Sequence, residues 1–112
     1  MPPRGWKSPK VPNPTRKPTK LEVAWAAGFI EGEGSFKLQV KCPRVSAGQV
    51  NKEPLLILQA IFGGSLKQYK NAKPSWSPLW YWYVNGARAR EVIATILPWL
   101  SQKRKQQARR IL

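Results

Sequence analysis

The sequence predicts an α+β domain with the element order αββαββα, in which four strands form one sheet, covered by helices on one face and open on the other. Three observations predict it. Apolar residues at helical spacing give way at Gly34 to strict alternation. Gly63 with Gly64, and Asn85 with Gly86, punctuate the second half where a helix and a strand end. Helical spacing then returns after Ala87 and continues beyond Pro98.

Thr19 is placed to cap a helix running from Lys20 to about Gly32, with Pro18 before it and Glu22 at the third helical position completing a capping box. Val23, Ala26, Phe29 and Ile30, with Trp25 nearby, supply bulk for a core. Ala24, Ala27, Gly28 and Glu31 lie at i, i+3, i+4 and i+7, so one face is nearly bare of side chain, and bare faces let helix backbones approach closely. Phe36, Leu38 and Val40 alternate with Ser35, Lys37, Gln39 and Lys41 in a half-buried first strand. Pro43 breaks that run, and Arg44 to Val50 reads as a second, weaker strand containing Gly48. Asn51 caps a second helix, Lys52 to Phe62, with Leu55, Leu56, Leu58, Ile61 and Phe62 core-like and Pro54 tolerated in its first turn.

Ser65 to Lys70 gives a third strand, Asn71 to Pro78 a loop, and Leu79 to Val84 a fourth strand. In that fourth strand Trp80, Trp82 and Val84 are assigned to the core and Tyr81 and Tyr83 to the open face; the reverse parity would expose two tryptophans. The last helical region begins near Ala87, carries Val92, Ile93, Ile96 and Leu97, is interrupted at Pro98 and resumes from Ser101.

At 112 residues and 12.7 kDa the chain is one domain with one modest core. Twenty Lys and Arg against five Glu give a net charge of +15, whose natural counterpart is nucleic acid or an anionic membrane surface. No apolar run approaches a membrane span, and the N-terminus carries charge without an apolar signal region, so the expectation is an intracellular protein that is neither secreted nor membrane-bound. Cys42, the single cysteine, cannot form an internal disulfide. The chain has no His and no Asp, which excludes His-based acid–base work, His/Cys zinc sites and Ser-His-Asp triads. Any metal chemistry must rest on Glu22, Glu31, Glu33, Glu53 or Glu91, and hard carboxylates favour Mg2+ or a similar divalent cation. Residues 1 to 20 hold six of the eleven prolines, six basic residues and no acid. Residues 1–19 are therefore read as a flexible basic arm, either a tolerated leader or a segment that tracks DNA, and 20–112 as the domain.

Two of the five acids fall in Ala26 to Gly34, AAGFIEGEG, a small-residue helix leading into a strand through Gly32, Glu33 and Gly34. Gln49 precedes a helix ending in IFGG, a strand ending in VNG precedes the last helix, and LPWLSQKRKQ follows. In this order and approximate spacing, residues 20 to 112 resemble the LAGLIDADG homing endonuclease family in its single-motif form. Ala26 stands where that family usually has Leu, and Glu31 where it has Asp.

The resemblance implies a half-domain with a curved four-stranded antiparallel sheet whose open face binds DNA. It implies a homodimer in which the motif helices of two copies pack together, each delivering Glu33 to a shared centre, with the metal at Glu33 and Gly32. Ala24, Ala27, Gly28 and Glu31 then fall on the dimer interface; close packing of that face on the chain's own sheet is the alternative. Gln49 and Lys103 match the peripheral catalytic positions, an amide that orders water and a cation that stabilises charge on the phosphate, with Arg104 and Lys105 as neighbours able to take the cationic role. Lys37, Gln39, Lys41, Arg44, Ser46, Lys67 and Tyr69 share the polar parity of the sheet and, with Tyr81 and Tyr83, form the expected DNA surface.

The expected activity is hydrolysis of both strands of a long, near-palindromic duplex site, in a mobile intron or intein setting, with no small-molecule cofactor. An RNA maturase that assists splicing and a DNA-binding protein that has lost cleavage are the competing readings.

Overall fold

Thr19 starts the first helix of the computed structural model, which describes residues 17–69 and 79–112. Its hydroxyl accepts the Glu22 N–H at 3.2 Å while the Glu22 carboxylate accepts the Thr19 N–H at 2.8 Å, the reciprocal pair expected of a capping box. The helix, α1, spans Lys20–Glu33 and is followed directly by strand β1, Gly34–Gln39. Strand β2 is Cys42–Gln49, helix α2 Glu53–Phe62, strand β3 Ser65–Tyr69 and strand β4 Leu79–Asn85. Helix α3, Gly86–Ile96, runs into a short 3-10 turn, Leu97–Trp99, before helix α4, Gln102–Ile111. The interruption expected at Pro98 is this turn. The expected basic arm, apart from residues 17–19, and the expected loop from Asn71 to Pro78 lie outside the described residues, as does Lys70.

The four strands form one antiparallel sheet in the order β1-β2-β4-β3. Its inner face presents Phe36, Val45, Ala47, Trp82 and Val84 to α1, α2 and α3, which contribute Ile30, Leu58, Phe62, Val92 and Ile93 among others to a single buried cluster. Trp82 is fully buried, and its indole N–H donates to the Gly63 carbonyl at 2.8 Å, so the largest core side chain carries no unpaired polar atom. Gly64 makes this approach possible: it sits at φ +100°, and a Cβ there would lie 2.7 Å from both the Tyr83 carbonyl and Val84 Cγ1.

Four expectations are corrected. The first strand ends at Gln39, because Val40 (φ 47°) and Lys41 (φ 65°) form the two-residue turn into β2; both lie in the left-handed region. Val40 is therefore fully exposed, and Leu38 is 52% exposed where the strand outruns the helical layer. Pro43 does not end a strand but lies buried inside β2, one residue before the β2–β4 ladder begins at Arg44. The second strand is the longest of the four, with eight residues. Leu56 is exposed rather than core, since Leu55, Leu58, Ile61 and Phe62 already define the buried face of α2 and Leu56 points away from it. Asn51 is not the cap of α2: the helix begins at Glu53 rather than Lys52, which puts Lys52 at the N-cap with no side-chain cap bond, and the Asn51 side chain, one residue earlier, accepts the Glu53 N–H at 3.1 Å.

Candidate functional site

The end of α1 is fixed by Gly34. Its N–H closes the last turn on the Ile30 carbonyl, and it is packed so tightly that a Cβ would lie 2.5 Å from Ile30 Cγ2 and 2.7 Å from the Ile30 oxygen. The strand thus leaves the helix at once, holding the preceding residue, Glu33, exposed at the helix terminus. A carboxylate there faces the negative pole of the helix, with no basic residue in the last turn to offset it. Among the described residues Glu33 forms no ion pair and no hydrogen bond.

Glu31, two residues earlier, is fully engaged. Its carboxylate accepts the Ser101 N–H at 2.7 Å and the Ser101 hydroxyl at 2.9 Å, and the Arg104 Nε donates to the Glu31 carbonyl at 3.0 Å. The Ser101 N–H bond, joined by the Ser101 hydroxyl and the Arg104 charge, holds the Glu31 carboxyl below its usual range against the opposing effect of burial. Ser101 also caps α4 by accepting the Arg104 N–H. One glutamate therefore clasps the start of α4 to the end of α1, setting Lys103, in the first turn of α4, at the same end of the molecule as Glu33. Lys103 is exposed, whereas Arg104 is committed to Glu31, to Gln107 and to the face of the Phe36 ring, which removes it as an alternative cation.

Gln49 is half-buried at the end of β2. The β1–β2 register pairs Gly34 with Ala47, so Gln49 lies two residues past the start of β1, at the end of the sheet where α1 gives way to β1. Glu33, Gln49 and Lys103 thus lie around one end of the sheet. Among the described residues no group of three His, Cys, Asp or Glu is clustered to hold a metal. The oxygen donors at the end of α1 are the Glu33 carboxylate and the carbonyl of Gly32, one of the terminal carbonyls without a partner inside the helix. These hard donors fit a divalent cation in kind, but a single chain supplies an incomplete set.

The open face of the sheet follows from the register. Lys37 sits opposite Arg44, Ser35 opposite Ser46, and across the next ladders Ser46 meets Tyr83, Arg44 meets Asn85, and Tyr81 meets Lys67. Lys37, Gln39, Arg44, Ser46, Tyr69, Tyr81 and Tyr83, with Leu79, line one concavity on this face. Lys67 is exposed beside it, with its ammonium 5.9 Å from the centre of the Tyr69 ring, while Lys41 sits in the β1–β2 turn rather than on the strand. Gly48 leaves space for Tyr81 to lie across β2, since a Cβ there would be 2.8 Å from the ring. Ser35, which the alternation of the first strand already places beside Lys37, belongs to this face, as do Leu79 and Asn85, which strict alternation through both ends of β4 finds.

The expected interface stripe is corrected. Ala27 is fully buried in the chain's own core, Ala24 is half-buried, and Glu31 is turned to Ser101. The edge of α1 left open carries Leu21, Trp25, Gly28 and Gly32, at i, i+4, i+7 and i+11. Leu21 is 83% exposed. A Cβ at Gly28 or at Gly32 would meet nothing within 4 Å. Beside the first half of this edge lies an apolar groove formed by Leu21 and Trp25 with Leu56, Ile57 and Ala60 of α2.

No protein-family model matches the sequence, and no curated protein matches it. Solved structures do. The homing endonuclease I-CvuI, in complex with its target in the presence of calcium, is similar over 80% of this chain at TM-score 0.61 and 21% identity. The same endonuclease with the I-CreI target and magnesium, its DNA not cleaved, gives 0.58 and 20%. The archaeal intron-encoded homing endonuclease I-Vdi141I, complexed with DNA, gives 0.57 and 22% over 77% of this chain. This chain spans 62% of the length of each. It therefore has the homing endonuclease half-domain fold, as its motif resemblance implied.

Proposed function

We propose that this chain is the single-motif half of a LAGLIDADG homing endonuclease, a homodimer that works inside the cell and cuts both strands of a near-palindromic duplex in the presence of Mg2+ or a similar divalent cation. The observation that carries the reading is an exposed Glu33, unpaired among the described residues, at the end of a helix whose open edge carries two glycines that the chain's own packing does not require. Glycine within a helix costs roughly 0.5–1 kcal/mol relative to alanine, so two glycines facing empty space are explained by something that must come close from outside. A second copy of α1, packed on Gly28 and Gly32 across a two-fold axis, brings two Glu33 side chains to one centre and completes the donor set.

Glu33 of each copy would hold the cation, which when bound polarises the phosphate and lowers the pKa of attacking water. Gln49 orders that water by hydrogen bonding, and Lys103 places positive charge beside the phosphate as charge develops. The sheet face supplies binding: Lys37 and Lys67 neutralise phosphates, and the polar side chains between them meet base edges along the major groove. The likeness to endonucleases seen on DNA, at 20–22% identity, supports this reading through the fold.

The test is sedimentation of the chain alone and with a randomised duplex library, followed by sequencing of molecules cut with Mg2+ and with EDTA. Two copies per bound duplex and Mg2+-dependent double-strand cuts at one site are expected. A chain that never cuts any duplex while binding intron RNA tightly would replace the endonuclease with a splicing cofactor.

A further inference from the structure

Arg44 is held differently from every lysine on the open sheet face. Its Nε donates to the Asn85 side-chain oxygen at 2.7 Å, and its guanidinium lies 4.5 Å from the centre of the Tyr83 ring. Both supports come from β4, directly across the ladder: Asn85 is the cross-strand partner of Arg44, and Tyr83 lies one same-face position along. Asn85 occupies the N-cap position of α3, where an Asn side chain usually caps the helix, yet its side chain makes no cap bond. The side chain that local structure would use for the helix is given to Arg44 instead.

The consequence is a guanidinium whose Nε edge is occupied, which lies over an aromatic face, and whose two terminal nitrogens have no partner among the described residues and remain as a fork. That fork matches the O6 and N7 acceptors of guanine in the major groove, the commonest specific pairing of an arginine. Lys37, opposite Arg44 on β1, offers only a mobile point charge, suited to phosphate. Resting on the DNA-binding reading above, we propose that Arg44 is a guanine-reading residue, with Asn85 and Tyr83 as its positioning residues. Each half-site would then carry one guanine fixed by this group, repeated symmetrically in the other half. Pre-organisation matters because immobilising a long side chain on binding costs about 0.5–1.5 kcal/mol, and here the fold has fixed the guanidinium beforehand.

The experiment is selection of bound duplexes from a randomised library by the full chain and by Arg44→Lys, Asn85→Ala and Lys37→Ala, with thermal melting of each variant. Wild type should select one guanine per half-site against the other bases by about 5- to 150-fold. Arg44→Lys should keep most of the affinity and salt dependence but lose that preference. Asn85→Ala, which removes no cap and leaves every Arg44 atom in place, should reduce the preference by about 2- to 12-fold. Lys37→Ala should weaken binding to all sequences alike. A merely structural Asn85 would lower the melting temperature without moving base preference, and that result overturns the proposal while leaving the DNA-binding reading intact. Selection of a site with no guanine dependent on Arg44 also overturns it. A chain that retains no duplex from the library refutes the DNA-binding reading itself, and the proposal with it.

Discussion

Replacing Gly28 and Gly32 together by alanine should stabilise the single chain and disable the assembled one. Each added methyl points into open space, so the folded chain bears no steric cost. The helix gains close to the full Gly-to-Ala difference at Gly28, about 0.5–1 kcal/mol, and less at Gly32, which is in the last turn of α1. Together these amount to about 0.7–1.5 kcal/mol. For a domain of this size, 1 kcal/mol shifts Tm by about 4–8 °C, so an increase of roughly 3–12 °C is expected for the monomer. In a two-fold assembly the same methyls enter the contact between helices four times over, where backbones must pass closely. The assay is melting over a concentration series, which separates the unimolecular gain from the loss of association, alongside sedimentation and cleavage. A variant that melts higher at high dilution, dissociates more readily and cuts poorly matches this account. A variant that associates and cuts as well as wild type refutes the role given to the open edge of α1.

The clasp at Glu31 gives a pH prediction. Because its carboxyl is held below the ordinary value of 4.5, its contribution to stability is complete above that pH and is lost as pH falls through the folded value; denaturant midpoints should drop below about pH 4.5 and the drop should shrink in Glu31→Gln. Ser101→Ala removes both the α4 cap and a Glu31 partner, and should cost about 1–2 kcal/mol in urea unfolding, with a larger loss of cleavage than of DNA binding because Lys103 is displaced. Trp82→Phe leaves the Gly63 carbonyl without its donor and a gap beside Phe62, for about 2–4 kcal/mol of destabilisation by chemical denaturation. Lys37→Ala or Lys67→Ala should weaken duplex binding and lower the magnitude of its log–log salt slope by about one, as measured by titration at several ionic strengths.

The order of elements and the parity of the strands were legible because period, capping and punctuation agree: Thr19 with Glu22, the alternation after Gly34, and the Gly63–Gly64 break all act locally. The same parity placed Trp82 and Val84 inward and Tyr81 and Tyr83 on the open face. What was not legible depends on contacts far apart in sequence. A helix with small residues on two adjoining edges does not reveal which edge meets its own sheet, and only the folded chain shows Ala27 buried in its own core. An α2 apolar on nearly every face hides that Leu56 is exposed. The Val40–Lys41 turn carries neither glycine nor asparagine, and its left-handed backbone has no local signature. The partners of Glu31 and Arg44 lie 70 and 41 positions away, beyond any motif's reach.

Glu33 carries the central claim, and Glu33→Gln is its most direct test: a near-isosteric change at an exposed position that leaves the fold's contacts in place. Binding and Mg2+-dependent cutting of the selected duplex are measured on the same preparation. The account predicts undiminished affinity and unchanged two-fold stoichiometry with double-strand cleavage abolished. Cleavage at the wild-type rate by Glu33→Gln would contradict it.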